Sequence, residues 1–169
     1  MTLEFLVERW EDQRTIKNLM GKYVNCLLLN QQGEIFDSFF SQKPDVCLTF
    51  NDGSYIGPEA VKGYFDAIVA RNLLSAQLLQ KRLPEKLGNK TDEELYGIGP
   101  FHVKPLTAPV IEVAEDGETA KGLWFCLGCN AEVTTRGPEA SWTWGYFAGD
   151  FVYENDDWKI WHLQYLNDI

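Results

Sequence analysis

Thr119-Ala120-Lys121-Gly122-Leu123-Trp124, Trp142-Thr143-Trp144-Gly145-Tyr146 and Trp158-Lys159-Ile160-Trp161-His162-Leu163 are the stretches that decide how this chain folds. They read as three long strands, preceded and separated by turn signals such as Glu115-Asp116-Gly117, and they hold five of the six tryptophans. Successive side chains of a strand point to opposite faces. Aromatics fall here on both parities, so one face must be covered by the apolar elements of the first half and the other paired or covered as well. The pattern predicts a curved sheet wrapped around helices, with a pocket between them.

Upstream of the strands the period changes. From Trp10 to Asn30, Ile16, Leu19, Met20, Tyr23, Val24, Leu27 and Leu28 recur at spacings of three and four, which marks an amphipathic helix. Gly33 ends or restarts it, and Glu34 to Phe40 forms a short second helix with Ile35, Phe36 and Phe39 on one face, closed by Lys43-Pro44-Asp45. Val46 to Phe50, the turn Asn51-Asp52-Gly53 and Ser54-Tyr55-Ile56 read as a hairpin. Pro58 then opens a third helix, where its missing N–H costs nothing, with Val61, Tyr64, Phe65 and Ile68 turned inward. Leu73 to Leu83 continues it or adds another. Pro84 to Pro100 reads as a long loop, either a cover over the pocket mouth or a partner contact, or a solvated insertion without a role. Five strands follow: Phe101 to Leu106, Val110 to Ala114, Thr119 to Glu132, Ser141 to Tyr153 and Trp158 to Tyr165. Helices first and an antiparallel meander after is an α+β arrangement, expected as a single domain over 1–169.

At 169 residues the chain buries roughly 70% of the surface its unfolded form exposes and needs neither disulfide nor metal to fold. Its formal charge of −10, from 15 basic and 25 acidic residues, repels phosphate backbones and anionic membranes, since the basic residues are scattered. No nucleic-acid or membrane partner is expected. Met1 to Trp10 lacks the charged start and apolar core of a secretory signal, which predicts a cytoplasmic protein. Cys26, Cys47, Cys126 and Cys129 lie in apolar stretches and read as reduced hydrophobes. Cys126-Leu127-Gly128-Cys129 has C-x-x-C spacing but no second pair and no adjacent histidine, so zinc is not implied. No phosphate loop, nucleophile elbow or His-x-x-x-His pair is present, and no cofactor or metal is expected.

Tyr23 in the first helix, Asp52-Gly53-Ser54-Tyr55-Ile56-Gly57 before the third, Thr119 to Trp124 in mid-sheet and Asp157-Trp158-Lys159-Ile160-Trp161-His162 at the end resemble, in this order and spacing, the nuclear-transport-factor-2-like superfamily, and within it the SnoaL-like branch. The resemblance covers about Glu4 to Tyr165. It implies a cone in which a strongly bent antiparallel sheet and three helices enclose a deep apolar pocket, with homodimers formed through the outer face of the sheet. Such folds include scytalone dehydratase, bile acid dehydratase, ketosteroid isomerase, limonene epoxide hydrolase and polyketide cyclases, beside non-catalytic binding modules. SnoaL-like dehydratases carry a first-helix tyrosine, matched by Tyr23, and a histidine on the strand after the third helix, matched by His102. The aspartate five residues beyond the tyrosine is replaced by Leu28. A second carboxylate after the Ala-x-Gly-x-Trp segment is also missing, with Gly128 in that stretch and no acid before Glu132.

His102 is suited, as an imidazole, to take a proton from carbon beside a carbonyl or to protonate a leaving hydroxyl, and Tyr23 to hydrogen-bond the developing oxyanion. Tyr55, Tyr64, Phe65, Trp124 and Trp144 read as apolar walls for a flat ligand or as ordinary core. Leu28 and His162 complete the candidate substrate-binding set, although both parities of the terminal strand are apolar and the side His162 faces stays open. Asp150 is an acid in an aromatic stretch with Arg136 as a candidate neighbour. Two functions fit: a cofactor-independent dehydratase, isomerase or cyclase acting on a hydrophobic cyclic carbonyl compound, or a binding module for a hydrophobic or aromatic ligand. Aromatics on both sheet faces also predict a homodimer.

Overall fold

The computed structural model describes residues 2–99 and 101–167; Pro100, at the end of the expected loop, lies outside them. The long helix α1 (Leu3–Leu28) begins a full two turns before the periodic stretch, because Thr2 caps it by accepting from the Phe5 amide at 3.3 Å and Glu4 sits in its first turn. Its second half buries Ile16, Leu19, Met20 and Tyr23. A 3-10 turn, Gln32–Glu34, leads into α2 (Ile35–Phe39), and the hairpin β1 (Cys47–Phe50) and β2 (Gly53–Ile56) follows. Gly57 takes φ 89°, a left-handed value that turns the chain into α3 (Pro58–Arg82), with Pro58 in the first turn and Lys81 and Arg82 in the last.

The expected loop is instead two short helices, α4 (Pro84–Leu87) and α5 (Asp92–Leu95). Thr91 and Glu94 form a capping box around the start of α5. The segment is tied down: Leu95 is fully buried, the Gln80 side-chain amide donates to the carbonyls of Leu87 and Lys90, and the Tyr96 hydroxyl donates to Gln32 Oε1 at 3.3 Å.

The strands β3 (Phe101–Val103), β4 (Leu106–Val113), β5 (Thr119–Thr134), β6 (Gly137–Glu154) and β7 (Asp157–Asn167) join the hairpin in one open, curved seven-stranded sheet. The order is β2-β1-β7-β6-β5-β3, with β4 on the same edge of β5 as β3. The meander is antiparallel as expected, but β1 joins β7 in parallel, Leu48 opposite Leu163, so the sheet is mixed. Asn155 and Asp156, both at positive φ, make the two-residue turn between β6 and β7.

One face of this sheet is the core. Ala120, Trp124, Cys126, Phe147, Phe151, Ile160, Leu163 and Tyr165 pack inward with Ile16, Met20, Tyr23, Phe40 and Phe65 from the helices. Gly122 has no side chain for a physical reason: a Cβ there would collide with the Trp124 ring, which lies over it. Between Asp150 and Phe151 the β6–β7 register shifts, leaving Trp161 unpaired between Ile160 and His162. Trp161 donates its indole N–H to Asp45 at 3.0 Å and stacks on the His162 ring.

Candidate functional site

Tyr23 on α1, Phe65 on α3 and His102 on β3 meet at one cavity of about 80 Å³ between helices and sheet. Leu27, Phe50 and Ile68 give it apolar walls, and Gln32, Tyr64, Arg71 and Lys104 complete it. The volume is small because Phe50, Tyr64, Phe65, Phe147 and Tyr165 pack ring against ring around it, with centroids 4.8 to 6.4 Å apart. That leaves room for several water-sized groups rather than a steroid.

The polar groups around this space are poorly satisfied from within the chain. The Tyr23 ring is edge-on to Phe40 and Phe147, and its hydroxyl is fully buried with no hydrogen-bond partner among the described residues. Burial pushes its pKa well above the ordinary tyrosine value, helped by nearby Tyr64, so it remains a neutral donor. His102 Nδ1 lies 3.1 Å from the side-chain oxygen of Asn130, its cross-strand partner on β5. With that oxygen as acceptor, Nδ1 carries the proton and Nε2 presents its lone pair. Nε2 is buried and unpartnered; Glu132 Oε1 stands 3.7 Å away, in ion-pair range and beyond a hydrogen bond. The pair can therefore steady an imidazolium once a proton has arrived.

Lys104 leaves the strand edge between β3 and β4 and lays its ammonium over the Tyr165 ring, 4.1 Å from the centroid. Burial lowers its pKa, opposed by the Cys126 thiol beside it.

The family model for the SnoaL-like domain matches residues 8–164, nearly the whole chain. This chain belongs to the SnoaL-like family. Among curated proteins none matches the sequence significantly. Solved structures do match. A hexachlorocyclohexane dehydrochlorinase from Novosphingobium barchaimii is 13% identical with a TM-score of 0.66, over 96% of this chain and 90% of its own. A scytalone-dehydratase-like protein from Novosphingobium aromaticivorans is 13% identical with a TM-score of 0.65, over 97% and 89%. A nuclear-transport-factor-2-like protein from Salmonella enterica is 14% identical with a TM-score of 0.62, over 94% and 92%. At these identities the likeness is one of fold, and it is the cone that the SnoaL-like resemblance implied.

Within this SnoaL-like cone the candidate residues separate. Tyr23, Phe65 and His102 line the cavity. Leu28 does not; its neighbour Leu27 does, a shift of one helical position. Trp124 is buried in the core away from the cavity, against Phe151. Tyr55 lies in a separate surface groove with Asp52 and Arg71, its hydroxyl donating to Asp52 at 3.1 Å. Trp144 and His162 fall on the outer face of the sheet, where Trp144 is 47% exposed. Asp150 is there too, and its partner is His162 Nδ1 at 3.0 Å, whereas Arg136 pairs with Glu139. Asp150 and His162, but not Trp144, border an open basin of about 680 Å³ that is larger than the cavity but does not enclose a ligand.

Gly128 explains its own missing acid: a Cβ there would run into the Val103 carbonyl, so β3 approaches β5 too closely for any side chain. Cys126 and Cys129, three apart on β5, point to opposite faces and are free. Among the described residues no cluster of three or more His, Cys, Asp or Glu can hold a metal, and no helix is long and apolar enough to cross a membrane.

Lys104, Arg71, Asn130 and Gln32 escaped sequence reasoning. A lysine before a proline reads as solvated loop, and an arginine late in an amphipathic helix as its wet face. Asn130 could have been found by pairing β3 against β5, which puts it opposite His102.

Proposed function

We propose that this protein is a cofactor-independent lyase or isomerase that moves a proton on carbon beside a carbonyl, with His102 as general acid/base and Tyr23 as oxyanion donor. The observation that carries this reading is that two unpartnered buried polar atoms, His102 Nε2 and the Tyr23 hydroxyl, belong to walls of one cavity. In the dehydratase form, Nε2 takes the proton from the α-carbon and the C–H electron pair becomes the enolate π bond. The oxygen receives the Tyr23 hydrogen bond. The enolate then expels hydroxide from the β-carbon, and the imidazolium returns its proton to that leaving group as water. Asn130 holds the tautomer that starts the cycle, and Glu132 stabilises the charged midpoint. Leu27, Phe50, Phe65 and Ile68 receive the carbon skeleton, which favours a hydrophobic carbonyl compound.

Turnover of a panel of cyclic and open-chain hydroxy-ketones tests the proposal. His102→Ala is expected to lower kcat by about 10²-fold or more and Tyr23→Phe by about 10²-fold. Unchanged rates in both would remove these residues from the chemistry. A second reading, a binding module, is favoured by one feature: the partner of His102 Nδ1 is a neutral amide rather than a carboxylate. Native mass spectrometry finding a co-purified compound that the protein leaves unaltered would support it.

Leu123, Phe125, Leu127, Trp142, Trp144, Tyr146 and Leu166 share the outer face and are all exposed. We infer that a second copy covers them, in the outer-face homodimer that the SnoaL-like resemblance implies.

A further inference from the structure

We propose that the cavity takes a carboxylate, so that the ligand of this SnoaL-like chain is a small organic acid whose charged head lies between Lys104, Arg71 and the Tyr23 hydroxyl. The inference rests on the cavity being the working site and narrows its substrate class from hydrophobic carbonyl compounds to acids.

The walls are unbalanced in two ways. Lys104 and Arg71 both line the cavity, the described walls hold no Asp or Glu, and neither cation has a hydrogen-bonding or ion-pair partner among the described residues. Lys104 is the unusual one: its ammonium is half-buried at the cavity with no acid beside it in the described walls, whereas Arg71 is exposed at the rim and also borders the groove that holds Asp52. A half-buried ammonium loses hydration that its contact with the Tyr165 ring replaces in part, and a bound anion supplies the rest. The hydrogen-bond inventory points the same way. Tyr23 offers a donor with no acceptor, the ammonium and guanidinium offer more, and the Gln32 amide is already committed, its Nε2 donating to the Leu27 carbonyl and its Oε1 accepting from Tyr96. Surplus donors want an acceptor-only group, and an ionised carboxylate is one.

Size selects among anions. About 80 Å³ holds a carboxylate and a few carbons, and the apolar walls Leu27, Phe50 and Ile68 suit a hydrocarbon tail better than the fully polar perimeter of phosphate.

The test is an NMR titration of the full-length protein with straight-chain carboxylates from acetate to octanoate, each against its amide, and with inorganic phosphate. The acids are expected to bind at least tenfold more tightly than their amides and more tightly than phosphate. Lys104→Met should weaken the acids at least tenfold and leave the amides unchanged, Lys104→Arg should retain most of the affinity, and Arg71→Gln should have a smaller effect than Lys104→Met. Amides binding as well as acids, phosphate binding better than every acid, no acid binding at all, or Lys104→Met leaving acid affinity unchanged would each overturn the proposal. Binding needs no turnover, and His102→Ala separates the two claims. Carboxylate binding that survives in His102→Ala alongside undiminished turnover would defeat the proton-transfer reading alone, and loss of acid preference with His102-dependent turnover would defeat this one alone.

Discussion

On β5 and β6, Trp124, Cys126, Phe147 and Phe151 are buried, while Phe125, Leu127, Trp144 and Tyr146, at positions of the opposite parity on the same strands, stand exposed. The two sets are alike in size and polarity. What separates them is cover: α1, α2 and α3 lie on the inner face, and none of the described helices lies on the outer. Apolar composition on both parities therefore says that a sheet has two faces to bury and leaves open which face the chain itself buries. It also bears on the proposed chemistry. The inner face holds orphaned polar atoms inside an apolar packing, where a hydrogen bond is strong and its absence costly. The outer face holds the satisfied Asp150–His162 pair beside an open basin.

The largest expected effect breaks the inner face. Phe147→Ala removes a ring packed against Tyr23, Phe50 and Tyr165 and is expected to cost about 3–5 kcal/mol in chemical denaturation. Phe125→Ala, one pleat away, is expected to cost under about 1 kcal/mol with the protein held monomeric by dilution. Equal losses would erase the distinction between the faces. A smaller effect sharpens it from the other side. Trp144→Glu places a charge in the proposed partner contact and is expected to weaken dimerisation at least about tenfold by sedimentation equilibrium, with the thermal transition of the monomer unmoved. A wild-type protein that sediments as a monomer at micromolar concentration would end the homodimer reading.

The smallest effect concerns pH. Tyr23 has its folded pKa raised, chiefly by burial, so its contribution to stability is intact below the unfolded tyrosine value near 10 and is lost as pH climbs above it, where the unfolded chain releases a proton that the fold retains. Tyr23→Phe should flatten the alkaline fall in stability by about one proton, roughly 1.4 kcal/mol per pH unit in that window. Near neutrality it should change stability by no more than about 1 kcal/mol, since the hydroxyl has no partner to lose. An alkaline slope identical to that of the wild type would show that Tyr23 titrates in the folded state as it does in the unfolded chain.

Much of the fold was legible in residue order. The spacing of Ile16, Leu19, Met20 and Tyr23 marks the buried face of α1, and Asn51-Asp52-Gly53 and Gly57-Pro58 punctuate the hairpin and α3. Two things were not. Pro84 to Pro100 reads as a loop because of its charges and closely spaced glycines and prolines, though the Thr91–Glu94 capping box is present as a local signal for α5. The side faced by His162 could not be read because Ile160 and Leu163, both inward, stand three apart rather than two or four. Of the site, Tyr23 and His102 come from the SnoaL-like pattern. Lys104 and Arg71 could not, since whether a cation is paired is a property of its neighbours in space and not of its neighbours in the chain.

The unpaired Trp161 has a consequence for assembly of the sheet. In an unbroken strand, sliding by two residues restores the same alternation, so register is protected mainly by side-chain fit. Here β7 changes phase partway: Trp158 and Ile160 face inward before the break, Leu163 and Tyr165 after it. Any slip against β6 carries that break past Asp150 and turns Trp161 or His162 toward the core, so the bulge acts as an index notch with one setting. The parallel strand β1, which no tight turn aligns with β7, takes its position from a strand whose register is already locked, and Asp45, just ahead of it, holds the notch residue by its indole nitrogen.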